Sequence, residues 1–117
     1  MDEPWQQQAA VRMAGSAKAL ADGAAFSTYN LIHLSNLWLV ACFRYYMKDD
    51  PFLDDRIFDQ LSTHLYQHRD QMKEAGVWWV DKLFPADALK AGTGYHMHGT
   101  YPFAIEEIAG HMKEAMK

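Results

Sequence analysis

Residues 50–76 read DPFLDDRIFDQLSTHLYQHRDQMKEAG and carry the strongest structural signal in the chain. Apolar side chains recur there at intervals of three and four residues, the pattern of a helix face that packs along a bundle. The members of this seam are Phe58, Leu61, Leu65, His68, Met72 and Ala75. We predict one helix, capped by Asp50, starting at Pro51 and ending at Ala75–Gly76.

Three other long helices and one short helix are predicted around this segment. The long ones run from about Pro4 to Ala21, from Ser27 or Thr28 to near Lys48, and from Pro102 to about Met116; the short one runs from Val77 to Phe84. A further turn is expected over 85–91 and a glycine-rich loop over 92–100. The second helix is apolar nearly all round, so we expect it to be the central helix and part of a dimer interface.

No segment shows the sustained alternation of apolar and polar residues that is typical of a strand. Short connections near Gly23, Asp49 and Gly76 favour antiparallel neighbours. The sequence therefore predicts an all-α fold, in which residues 1–117 form a single domain. We expect an antiparallel bundle of four main helices, plus one short helix that caps an end.

Composition excludes several classes of protein. The 117 residues include 15 acids and 11 bases, a net charge of −4 that argues against nucleic-acid binding. No basic, apolar leader opens the chain, and the uncharged stretch from Gly23 to Phe43 contains too many polar residues for a membrane span. The lone Cys42 cannot form an internal disulfide. We therefore expect a cytoplasmic protein with no membrane partner.

The histidine-rich character of the chain suggests a metal site. His64 and His68 lie four residues apart on the predicted helix, so both imidazoles could ligate one ion from the interior. His96 and His98 could do the same from an extended loop. Together the four would form a closed zinc site, although each pair could equally be ordinary core or surface histidines.

Cys42 stands 22 positions before His64, with His33 upstream. This arrangement resembles the zinc-binding domain of bacterial chemoreceptors, in which three histidines and a cysteine hold zinc within a helical bundle. The resemblance covers residues 33–68 and lacks that family's glycine shortly after the cysteine. On one straight helix, the nine residues from His33 to Cys42 also separate them by roughly 13 Å, on opposite faces. We therefore assign no family, and Cys42 with His64 and His68 is left as a three-ligand alternative.

Two functions compete on this sequence. The first is a small binding or interaction protein, a homodimer that contacts a protein or an apolar ligand, because aromatic residues make up 14% of the chain and are enriched at interfaces. The alternative is binding of a transition metal such as zinc. An enzyme ranks third, because no acyl-transfer or phosphate-binding motif is present.

Overall fold

The computed structural model of the chain describes residues 4–97 and 100–116. Within these residues the fold is all-α, as predicted, and contains no strand. The helices are α1 (Trp5–Ala21), α2 (Leu31–Tyr46), α3 (Asp55–Gln67), α4 (Arg69–Glu74), α5 (Val80–Leu83), α6 (Ala86–Ala91) and α7 (Phe103–Ala115). Short 3₁₀ turns occupy Phe26–Thr28 and Tyr95–Met97. Four of the helices are long, which confirms the predicted number of main helices.

The central helix is α2, in agreement with the sequence pattern. The Asn30 side chain caps it by accepting a hydrogen bond from the backbone N–H of His33 at 2.8 Å. Every residue from Leu37 to Arg44 is buried, so the apolar circumference of α2 is covered by the rest of the same chain. The argument for dimerisation from this helix therefore loses its basis, although the oligomeric state itself stays a prediction.

Helix α3 runs antiparallel to α2. Phe26, just before α2, stacks on His64 near the end of α3, whereas Trp38 in the middle of α2 stacks on Phe58 near its start. Three members of the predicted seam are confirmed as core residues, because Leu61, Leu65 and Met72 have no exposed surface. Phe58 and His68 are only half-buried, and Ala75 is exposed.

The predicted start of this helix is wrong by four residues. Asp54 is the N-cap, and its carboxylate accepts a hydrogen bond from the backbone N–H of Arg56 at 2.7 Å. Asp50 has another role, because its carboxylate pairs with the guanidinium of Arg44. Arg44 is buried and also donates to the carbonyl oxygen of Ala109 in α7, at 3.4 Å. Asp50 thus helps to neutralise a buried charge instead of capping a helix.

The predicted helix is also interrupted at His68, whose φ of −110° and ψ of 19° separate α3 from α4. Its ring N–H at Nδ1 donates to the carbonyl oxygen of His64 at 2.8 Å. A side chain that bonds to the carbonyl one turn earlier competes with the regular backbone pattern. Beyond α4, the predicted short helix over 77–84 shrinks to α5, because Trp79 has a φ of 52°. The further turn over 85–91 is confirmed as α6.

The first and last long helices pack against each other. The buried face of α1 consists of alanines with Met13, Ser16 and Leu20. On α7 the side chains of Ile105, Ile108 and Met112 are buried. Small side chains on α1 allow a neighbouring helix to approach closely, and α7 is the helix that packs against it. Among the described residues, no helix combines the length and the hydropathy that crossing a membrane requires.

The glycine-rich loop is pinned to α2 by a close contact between Gly94 and Cys42. A Cβ atom added at Gly94 would lie 2.5 Å from Sγ of Cys42 and 2.9 Å from its Cβ. Real carbon atoms do not approach that closely, so only glycine fits. Cys42 is wholly buried, and burial raises the pKa of its thiol well above the ordinary value. The thiol is therefore a packing group.

We predict that Gly94→Ala lowers the free energy of unfolding by about 1–3 kcal/mol, because the new methyl group overpacks the contact with Cys42. Urea denaturation followed by circular dichroism measures the change. Gly15→Ala is the matched control: this glycine is exposed on α1 with no atom near the added Cβ, so the change should stabilise by about 0.5–1 kcal/mol. In Gly94→Ala/Cys42→Ala the loss should be smaller than the sum of the two single losses. Equal stability of Gly94→Ala and the wild type would contradict the contact.

Candidate functional site

The two histidines of the predicted helical pair do meet, but at the edge of the core. Their ring centroids lie 4.2 Å apart with the planes inclined by 30°, and Phe26 stacks on the outer face of the pair at 5.4 Å from His64. Both side chains are half-buried, so the expectation that they point fully inward is wrong. Burial, and secondarily the charge of His68, lowers the pKa of His64.

This stacked arrangement is unlike that of two imidazoles on one metal ion. The lone pair of a ring nitrogen lies in the ring plane, so two nearly parallel rings direct their lone pairs side by side and not toward a common point. In addition, Nδ1 of His68 is already bonded to the carbonyl oxygen of His64. A shared metal ion would require both rings to turn and would separate them from Phe26.

The loop histidines do not complete the site in the part of the chain that the structure describes. His96 is bonded through Nε2 to the carbonyl oxygen of Leu83 at 3.0 Å, and its ring lies 6.4 Å from that of Trp38. His98 lies outside the described residues. Across residues 4–97 and 100–116, no three His, Cys, Asp or Glu side chains are grouped so that they could hold a metal ion. His96 and Cys42 therefore do not join His64 and His68, and zinc binding by the helical pair stays a prediction.

His33, in the first turn of α2, contacts α1 and not the histidine pair of α3. Its Nε2 lies 2.7 Å from Oγ of Ser16 in α1, and its ring stacks on Tyr29. Burial lowers the pKa of His33, and the positive charge of Arg12 lowers it further. This histidine therefore links α1 to the start of α2, in surroundings that disfavour its charged form.

The most unusual surface of the described chain lies between α4 and α5. Trp78 and Trp79 are 67% and 47% exposed, and their rings stack at 4.2 Å. Trp79 has φ 52° and ψ 46°, a left-handed conformation that is rare for bulky residues. Lys82 lies over the ring of Trp79, with Nζ 4.8 Å from its centroid. Val77 is half-buried and lies next to Trp79 and Lys82 in the same shallow depression.

We name this area the tryptophan surface; it comprises Val77, Trp78, Trp79 and Lys82. Ion pairs to Asp81 connect α5, next to this surface, with α4. Arg69 and Lys73 of α4 donate to the Asp81 carboxylate at 3.0 Å and 3.2 Å. The hydrogen bond from Lys73 is the main cause of the lowered pKa of Asp81. Arg69 also donates to the carbonyl oxygen of Phe84 at 2.7 Å, which fixes both ends of α5.

The sequence indicated an interface from its surplus of aromatic residues but did not locate it. Of the four tryptophans, Trp38 is fully buried, whereas Trp5, Trp78 and Trp79 are exposed. The adjacent pair Trp78–Trp79 is visible in the sequence, but nothing in the sequence distinguishes it from Leu83–Phe84, an adjacent pair that is buried. Comparisons of the chain with protein-family models, with curated proteins and with solved structures find no match.

We predict that the protein loses stability as the pH falls from 7 toward 5. Because the pKa values of His33 and His64 are lowered in the folded state, the unfolded chain binds protons first, near its ordinary pKa of about 6.5. Protonation therefore favours unfolding in this window. Melting temperatures measured at half-unit pH steps should show a smaller decrease for His33→Gln and His64→Gln than for the wild type.

His111→Gln is the matched control, because it removes a histidine from α7 without affecting either ring contact. It should retain the pH dependence of the wild type. Parallel profiles for the wild type, His33→Gln and His64→Gln would show that these two side chains do not titrate as their burial requires.

Proposed function

We propose that this protein is an interaction protein that forms a homodimer through the tryptophan surface. The observation that carries the proposal is the backbone of Trp79. A non-glycine residue in the left-handed region costs about 1–3 kcal/mol, and such strain is concentrated at functional sites. Here the strained backbone holds two indole rings together at the surface. These exposed rings do not form part of the buried core.

The chemistry of the surface favours a protein partner. Tryptophan is the residue most enriched among those that dominate binding energy at interfaces. At their exposed fractions of 67% and 47%, Trp78 and Trp79 offer roughly 280 Å² of accessible residue surface, about a third of the ~800 Å² that each partner contributes to a standard interface. Val77 and the stem of Lys82 supply further apolar area beside them.

A second copy of the chain is the partner that fits this surface. A two-fold interface brings the same patch together from both subunits, so the patch must be complementary to itself. The tryptophan surface combines a flat aromatic pair with the cation Lys82 and borders on the anion Asp81. Across a two-fold axis the rings can therefore stack on each other while each lysine approaches the partner's carboxylate.

We predict that the wild type is dimeric at about 100 μM and dissociates on dilution toward about 1 μM, as measured by size-exclusion chromatography with light scattering. Trp78→Ser should remain monomeric throughout. Because Trp78 is mostly exposed, this change should alter the free energy of unfolding by no more than about 0.5 kcal/mol.

Trp5→Ser is the control, since Trp5 is 51% exposed at the start of α1 and lies outside the tryptophan surface. It should dimerise like the wild type. A wild type that stays monomeric at about 100 μM, or a Trp78→Ser variant that dimerises normally, would overturn the proposal.

A further inference from the structure

A second feature of the structure is a cavity between the end of α2, the first turns of α3 and the end of α6. Its volume is about 220 Å³, equivalent to about seven water molecules. Three aromatic side chains, Tyr45, Tyr46 and Phe58, line it together with two carboxylates, Asp55 and Asp59. Leu53 contributes an apolar, buried part of the wall.

The wall of this cavity is held in place by the loop that follows α6. The hydroxyl groups of Tyr46 and Thr93 are hydrogen-bonded at 2.9 Å, which fixes the aromatic wall to that loop. Gly92 ends α6 with a φ of 68°, and a Cβ atom there would lie 3.0 Å from Oδ1 of Asp59. Glycine therefore satisfies the backbone and lets the carboxylate lie close to the end of α6.

The two carboxylates are unpaired within residues 4–97 and 100–116. Asp55 and Asp59 are four residues apart on α3, so they lie on the same face and repel each other. Neither takes part in an ion pair or hydrogen bond among the described residues. None of the described residues that line the cavity is cationic. Among the described residues, therefore, no group neutralises the negative charge of the cavity.

We propose that this cavity binds a small organic cation, an ammonium group carried on a short aromatic or aliphatic body. The carboxylates attract the ammonium group and the bound charge relieves their repulsion, while the aromatic and aliphatic wall accepts the apolar body. A bare divalent ion suits the cavity less well. Calcium takes six to eight oxygen ligands and magnesium an octahedral set, whereas the polar side chains of this wall are two carboxylates and two phenols among apolar groups.

The test uses 2-phenylethylamine, which is protonated at neutral pH, as the probe. We expect the full chain to bind it with a Kd on the order of 1 mM, measured from NMR shifts of the Tyr45, Tyr46 and Phe58 rings. The neutral isostere 2-phenylethanol should bind at least about five-fold more weakly. Asp55→Asn and Asp59→Asn should each weaken binding of the amine about three- to five-fold, and raised salt should weaken it as well.

Asp87→Asn is the matched control, because this exposed carboxylate lies in the first turn of α6 outside the cavity and should not change the Kd. Equal affinity for the amine and the alcohol, unchanged affinity in both asparagine variants, or no saturable shift up to about 10 mM would each overturn the proposal. The cavity shares no residue with the tryptophan surface, so Asp55→Asn and Asp59→Asn should leave dimerisation unchanged. The two proposals therefore fail separately.

Discussion

Trp38 is the side chain on which the rest of this structure depends. Its indole N–H donates to Oγ of Ser62 at 2.8 Å, so its one polar group is satisfied inside the core. Its ring packs on Phe58 of α3 and on Phe84, which follows α5. A single buried ring thus joins the central helix to α3 and to the short helices. Loss of this contact would separate the walls of both proposed sites from the core that positions them.

Apolar periodicity predicted the fold class and the middle of each long helix, because the burial of Leu61 or Met72 is determined by spacing along one helix. The ends were harder to predict. Asp50-Pro51 and Asp54 offer two chemically sensible starts for α3, and the choice depends on Arg44, which needs the carboxylate of Asp50. That requirement arises from α2 and α7, so local sequence could not show it. The left-handed backbone conformation of Trp79 was equally hard to predict, since the position carries neither glycine nor asparagine, the residues that favour this conformation.

The histidine pair shows the same limit for the candidate site. A spacing of four residues correctly predicted that His64 and His68 meet. How the two rings are oriented depends on Phe26, which comes from the segment before α2 and stacks on His64. Likewise, the spacing of Asp55 and Asp59 is visible in the sequence, but the spacing alone does not predict a cavity. The cavity also requires Tyr45 and Tyr46, which belong to α2 and form the opposite wall. Contacts of this kind are tertiary, and they cannot be predicted from the local pattern of a single sequence.

Two local costs in this protein fall at the surface, on either side of a buried apolar seam. The repulsion of Asp55 and Asp59 falls at the start of α3, and the strain of Trp79 falls just after α4. The chain from Asp55 to Glu74 is helical except at His68, a span of about 28 Å if it were straight. Its seam of Leu61, Leu65 and Met72 is fully buried, so the core anchors both α3 and α4. Burial of one apolar seam therefore stabilises unfavourable groups at both ends, where a ligand or a second subunit would relieve them.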